Sequence, residues 1–519
     1  MATNNHCPFD ITPYTQSQVI TTPSIFNLNY TNQDFWSMKT RLVEFIRQKF
    51  STDFSDFVES SLAIMLIENW AFIADTLSFK MDQIANEIFI DTVTEKENAF
   101  RLAKLVGFQP QPPIAARSMW TVSLNNLLDT DVVIGTPYDV SVDAGGINIT
   151  IELFPADADN NPIFDQDIVI PAGSAVNASV IGLEGLTTTF EIAGTGAASQ
   201  TITLPDSPVI FDSIRVTVDG VAWQYVDYFT DSQPRREYRV EYDSNYAAFV
   251  IFGNNRTGLI PSTGSRIIIT YRVGGGTVGN IVSGSVETEG LINITGIEYG
   301  IPVSFRNYTR GEFGYNGDTI EDIKLKLPAW TRAQNRAVTG LDYKTLTDQF
   351  VTPYQGQIGK STAVLRNYGC SGNIIDLYVL AKNGISDLQE ASMELKNSLE
   401  NYINGVKMFT DFVCIRDGQV VYVEVDIDVV MDRLYRKFEE EFRIKIQRRL
   451  DAFFALNNWE YGESLRDNDI TKTLSDLKEI NRMEITFVTD DPNNGGNIVT
   501  TDFNQIIRPD LILVNFTYE

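Results

Sequence analysis

Residues 57–90 read FVESSLAIMLIENWAFIADTLSFKMDQIANEIFI, a run with neither glycine nor proline. At 1.5 Å per residue it is long enough for a helix of about 50 Å. Between Leu62 and Ala74 only Glu68 and Asn69 are polar, so such a helix is apolar nearly all round and needs cover. Either the chain's own β region or a second protein supplies it, and the sequence leaves both open. Upstream, Phe35, Met38, Leu42, Phe45 and Ile46 recur at helical spacing. Downstream, Thr94 and Glu97 have the spacing of a capping box that opens a third helix ending at Gly107. Pro110, Pro112 and Pro113 close this region.

Working outward, residues 1–31 are rich in Thr, Asn, Pro and Ser without sustained periodicity and predict an extended arm, and the helical region covers 32–117. From Ser118 to Ser304 the pattern turns to short alternating runs, ITIELF, TITL, IRVTV, REYRVEY and RIIITYRV, between Gly-, Pro- and Asp-rich turns. We read two β modules here, 118–245 and 246–318. The remainder, 319–519, is mixed. It holds the strand-like IIDLYVLA, a helix opening at a Ser386 and Gln389 capping box and ending at Gly405, and a strand pair around Asp417 and Gly418. A long helix follows near Arg433 to Leu456, then a strand from Met483 to Val488. Val421, Val423, Val425, Ile427 and Val429 alternate with Tyr422, Glu424, Asp426 and Asp428, the period-two signature of a sheet with one dry face. The fold class is α+β multidomain, with an amino-terminal helical region, a β-rich middle and a carboxy-terminal α+β unit.

Composition narrows the function. At 519 residues the chain exceeds the roughly 250–300 at which one core stops growing. With 43% hydrophobic and 21% charged residues it is that of a folded globular protein. Its 41 basic and 68 acidic residues give a net charge of −27, with no basic cluster to meet phosphate, so nucleic acid and anionic membrane are poor partners. The only histidine is His6, which removes His-based catalysis and most zinc chemistry. Cys7, Cys370 and Cys414 form no CxxC pair and read as free thiols in a reducing compartment. The start MATNNHCPFD has neither basic nor apolar leader character, and Glu68 interrupts the longest apolar run, so neither secretion by that route nor a membrane span is expected.

Three motifs tempt and fail. Gly274, Gly276 and Gly279 have dinucleotide-loop spacing, but Gly284 breaks the helix that loop must open, which leaves a β-turn or bulge. Gly359, Lys360 and Ser361 end like a phosphate-binding loop, but Tyr354 stands where its first glycine belongs. Asp157, Asp159 and Asn161 open like a calcium loop, which then has Pro162 for Gly and Ile168 for Glu. Acidic pairs such as Glu439 with Glu440 and Asp490 with Asp491 read as solvated faces. No cofactor, metal or catalytic residue is expected.

Four stretches, in order, resemble the baseplate J-like and wedge-protein family of contractile bacteriophages. They are SDFVESSLAIMLIENWAFIADTLSFKMDQIANEIFIDTV through ENAFRLAKLVGFQP and PPIAARS; IFGNNRTGLIPSTGSRIIITYRVGGGTVGNI; YNGDTIEDIKLKLPAWTRAQNRAVTGLDYKTLT; and NNWEYGESLRDNDITKTLSDLKEINRMEITFV. The resemblance implies a non-enzymatic structural subunit in the virion tail baseplate, present in host cytoplasm during assembly. It implies a pair of copies within each wedge and a ring of six wedges that widens on sheath contraction. Its implied partners are other wedge proteins, the tail hub and sheath-initiator proteins. The interface candidates are Phe35, Met38, Leu42, Phe45, Leu66, Trp70, Ile73, Leu77, Met81, Ile84 and Ile88. Gly253, Gly258 and Gly264 become turns of a hairpin, Gly274, Gly275, Gly276 and Gly279 become structural turns, and Thr339 caps a helix with Asp342 in its first turn. The stretch 118–241 matches no part of that pattern. A receptor- or glycan-binding reading rests on loop aromatics Trp223, Tyr225 and Tyr228.

Overall fold

The computed structural model describes residues 34–49, 61–143, 146–157, 160–229, 234–292, 300–353, 355–367, 373–383, 387–477, 479–491 and 494–519. The described residues divide into two units: those up to 110 with 318–328, and 111–317 with 329–519. The proposed arm 1–31 lies outside the described residues.

The first unit is helical. α1 spans Phe35–Lys49 and α2 Leu62–Asn86, an element of about 37 Å. They pack together, and Lys39 Nζ meets Glu68 Oε1 at 2.6 Å. α3 spans Lys96–Leu105. Its start differs from the capping box expected of Thr94 and Glu97. Thr94 gives both its N–H and its hydroxyl to Glu87, while Glu97 pairs with Arg101 one turn on. Its end is as the sequence indicates. Gly107 turns left-handed at φ 75°, and the N–H groups of Gly107 and Phe108 return to Lys104 and Ala103, which satisfies the last carbonyls.

The second unit begins with two β modules. A six-stranded sheet has the order Glu287–Ile292, Ile301–Asn307, Arg117–Leu124, Val176–Glu184, Asn148–Pro155, Tyr138–Asp143. Trp120, Val122, Ile151, Leu153, Val180 and Phe305 form its core. Residues 186–273 form a sandwich set into this sheet's chain path. One four-stranded sheet contains Leu186–Ala193, Arg215–Val218 and Arg266–Val273. The other contains Thr201–Thr203, Glu237–Tyr242 and Ala248–Phe252. Ile267, Ile269 and Tyr271 from the first meet Val240, Val250 and Phe252 from the second in one core. The 245/246 boundary read from sequence lies in the turn joining Glu237–Tyr242 to Ala248–Phe252, which pair antiparallel.

The carboxy-terminal region is two α+β lobes. In the first, α5 (Gly340–Asp348) and α6 (Met393–Val406) cover a sheet built on Gly356–Asn367, Asn373–Asn383 and Asp411–Asp417. α4 (Ile320–Ala333) precedes it, and the division between the two units falls at its internal Pro328. In the second lobe, α7 (Glu439–Phe453) and α8 (Asp467–Leu474) cover a sheet of order Ile480–Thr489, Gln419–Met431, Gln505–Tyr518. Val423, Val425, Ile427, Val429 and Met431 are fully buried, the dry face that the alternation indicates.

Several sequence expectations change here. Asp411–Asp417 and Gln419–Met431 are not a strand pair, because each joins a different sheet and the chain crosses between lobes at Gly418. The cap of α6 is Ser392, whose hydroxyl accepts from Leu395 N–H; Gln389 ends a short strand and Ser386 lies outside the described residues. The helix expected from Arg433 opens as a 3-10 turn, Arg433–Phe438, and becomes α-helical only at Glu439. Cys414 is disulfide-bonded, so the free-thiol expectation does not hold for it.

Candidate assembly interface

α2 buries one narrow face and leaves most of its large apolar side chains outward. Ile64, Ile67, Ala71, Ser78 and Asp82 face the inside of the helical unit. Leu66, Trp70, Ile73, Leu77, Met81 and Ile84 form an exposed stripe, with Trp70 65%, Leu77 59% and Ile84 65% exposed, and exposed Ile88 continues it past the helix end. Leu62, Met65, Phe72 and Phe79 widen it. An inverted helix of this kind is not the product of a solvated surface, where such side chains occur singly. Each of these side chains would gain about 1.5–3 kcal/mol on full burial.

The stripe has a regular repeat: Leu66 to Leu77, Trp70 to Met81, Ile73 to Ile84 and Leu77 to Ile88 are each eleven residues apart. Eleven residues make three turns at 3.67 per turn, close to a straight helix and opposite in drift to a heptad. At its far end the stripe runs into an open cleft lined by Gln83, Ile84, Glu87, Ile88, Glu95 and Asn98. Glu87 is fixed there by Thr94 and by Asn98 Nδ2 at 2.9 Å. Burial pushes its carboxyl up, but these donors outweigh burial and hold it below its ordinary value.

Of the interface candidates on α1, Phe45 is exposed, Phe35 and Leu42 are half-buried, and Met38 is buried within the unit. Met38 is therefore core rather than contact surface in this chain. Length and composition alone would let α2 cross a membrane, with a mean hydropathy of 1.4 over its most apolar window. Glu68 is thus a weaker bar to a span than the sequence reading makes it.

The turn glycines fall at joints of the β modules. Phe252 and Arg266 belong to different sheets, so Gly253–Gly264 carries the chain across the sandwich instead of closing a hairpin. Within it Gly258 and Gly264 are left-handed, and a Cβ on Gly253 would lie 2.2 Å from the Gly258 carbonyl carbon. Gly274, Gly275 and Gly276 all have positive φ, and Gly279 ends a 3-10 turn against Ala116 and Glu184. Thr339 caps α5: its hydroxyl accepts from Asp342 N–H at 3.2 Å, and Asp342 accepts from Thr339 N–H at 2.9 Å. Lys360 and Ser361 of the phosphate-loop look-alike lie within a strand, bound to Glu460 and Asp348. Asp157 accepts from Asn161 N–H. Trp223 is packed edge-on to Phe252, while Tyr225 and Tyr228 are exposed.

The exposed apolar face lies in the part of the chain that matches a known protein family. Residues 34–105 match the family described as bacteriophage baseplate protein, N-terminal domain. Residues 34–105 are thus similar to a phage baseplate domain. No curated protein matches it. Among solved structures, it is similar to a chain of the anti-feeding prophage baseplate at 10% identity and TM-score 0.36, covering 91% of this chain and 90% of that one. It is also similar to a chain of the type VI secretion system TssK-TssF-TssG baseplate subcomplex at 9% identity and TM-score 0.29, covering 68% and 96%.

Proposed function

We propose that this chain is a wedge subunit of a contractile-tail baseplate, and that α2 is the element by which it is held to its neighbours. The observation that carries the reading is the outward stripe Leu66–Trp70–Ile73–Leu77–Met81–Ile84 inside the stretch that matches the baseplate domain. A stripe of that length fits one or two partner helices laid along it, from a second copy and from other wedge proteins. Pairs of copies assemble into a ring around the tail hub, and the ring widens when the sheath contracts. Many modest contacts around such a ring sum by multivalency, so no single residue carries assembly. The chain is non-enzymatic in this reading, takes no cofactor, and works in the virion after assembly in the host cytoplasm.

Sedimentation velocity of the full chain, alone and co-expressed with the other tail proteins, tests this. The expected result is self-association or co-sedimentation that Leu77→Asp disrupts. A monodisperse monomer indifferent to tail proteins would contradict it. Flotation with lipid vesicles separates out the membrane reading of α2, for which the expected result is no binding.

A further inference from the structure

The joint between the six-stranded sheet and the sandwich holds a buried group of charged side chains. The strand Val176–Glu184 of the sheet passes through Gly185, at φ 112°, straight into the strand Leu186–Ala193 of the sandwich. A Cβ on Gly185 would lie 2.9 Å from the Val273 carbonyl oxygen, so the two modules meet backbone to backbone there. Arg272, from the sandwich, reaches across into the sheet. Its Nε binds Glu152 Oε2 at 3.1 Å, and its Nη2 donates to the carbonyls of Leu183 and Glu184. Glu152 is fully buried and also accepts from the N–H and hydroxyl of Thr187, so it is a satisfied carboxylate.

Glu184 is the second carboxyl at this joint, and it is 8% exposed. It takes the N–H of Gly275, yet its Oε2 has no hydrogen-bond partner. Gly274 and Gly279 press on its side chain closely enough that a Cβ on either would overlap it. The charged group that acts on it is Arg272, from the strand Arg266–Val273, which is itself paired with Glu152 of the strand Asn148–Pro155; Ala116, Gly275 and Gly279 supply apolar or backbone wall. One guanidinium thus stands against two carboxyls, and Glu152 holds its head. Ionising Glu184 places an uncompensated negative charge in a dry joint, which folded proteins avoid by neutralising the group or letting water in.

We propose that Glu184 is a protonation-controlled latch on this joint: neutral, it lets the two β modules close on each other, and ionised, it favours an opened, hydrated joint hinged at Gly185. Burial pushes its carboxyl up to about 7, against the opposing pull of the Gly275 N–H and Arg272. Because the closed-state value lies above the ordinary 4.5, the closed joint binds the extra proton. Its advantage is full below about 4.5 and is lost as pH rises to about 7.

Hydrogen–deuterium exchange of the full chain, corrected for the intrinsic pH dependence of amide exchange, reads this directly at residues 183–187 and 272–276. Between pH 5 and pH 8 the opening equilibrium of those segments should rise on the order of 50-fold, as expected for a carboxyl shifted from 4.5 to about 7. In Glu184→Gln, which keeps the shape without the charge, it should be flat. A flat wild-type profile, or an equal rise in the variant, overturns the latch. Should the variant fail to fold, the wild-type profile decides alone: a rise levelling near pH 7 supports the latch and its absence refutes it.

Discussion

Thr339 and Asp342 were legible from sequence because a capping box needs only its own four residues. Each satisfies the other's backbone N–H, and Thr339→Ala should cost about 1 kcal/mol, measurable as a lower urea midpoint for the carboxy-terminal transition. Thr94 has the same local pattern and does something else, because Glu87, close in space but seven positions away, captures its hydroxyl. A motif that needs only its own residues is readable; one that competes with a distant acceptor is not. Gly253 is a position where spacing gives the turn but not the reason. A methyl there would meet the Gly258 backbone, so Gly253→Ala should destabilise the sandwich by about 1–3 kcal/mol, seen as a fall in the melting temperature of the β region. Glu184 carried no sequence signal, since burial and the sharing of Arg272 arise only when two modules fold together.

Among the elements, α2 was readable as a helix and as one needing cover, but not which of its faces packs inward. Ile64, Ile67 and Ala71 are the apolar side chains of α2 that end up inside the unit. The exposed stripe predicts the partner's geometry: an eleven-residue repeat favours a nearly straight or slightly right-handed pairing. Trp70→Ala should weaken association by about 30-fold, the size of a hot-spot loss of about 2 kcal/mol, in a titration against the co-purified partner. The strand Gln505–Tyr518, absent from the sequence reading, carries Pro509 on a sheet edge where the register shifts between Val423 and Val425, a place where a missing N–H is tolerated.

For the whole molecule, the order helices, β modules, α+β lobes follows from changes in hydrophobic period, whereas the pairing of strands into sheets does not. Periodicity says which face is dry, not which neighbour lies beside it, so consecutive strands at Gly418 looked like a pair although they belong to two lobes. Those lobes share a core through Leu380 and Leu388 and an ion-pair link through Glu460, which binds Lys360 at 2.8 Å and Lys344 at 3.1 Å. Because Glu460 is more than a third exposed, Glu460→Gln should cost only about 1–2 kcal/mol, and the expected sign is separation of one calorimetric transition into two.

In the proposed function, α2 presents its large side chains to another chain. A cryo-electron microscopy reconstruction of the intact tail that resolves residues 61–90 tests it most directly. The expected density has Leu66, Trp70, Ile73, Leu77, Met81 and Ile84 packed under helices of neighbouring baseplate chains. Density in which that stripe faces solvent, or in which the chain is missing from the baseplate, would contradict it.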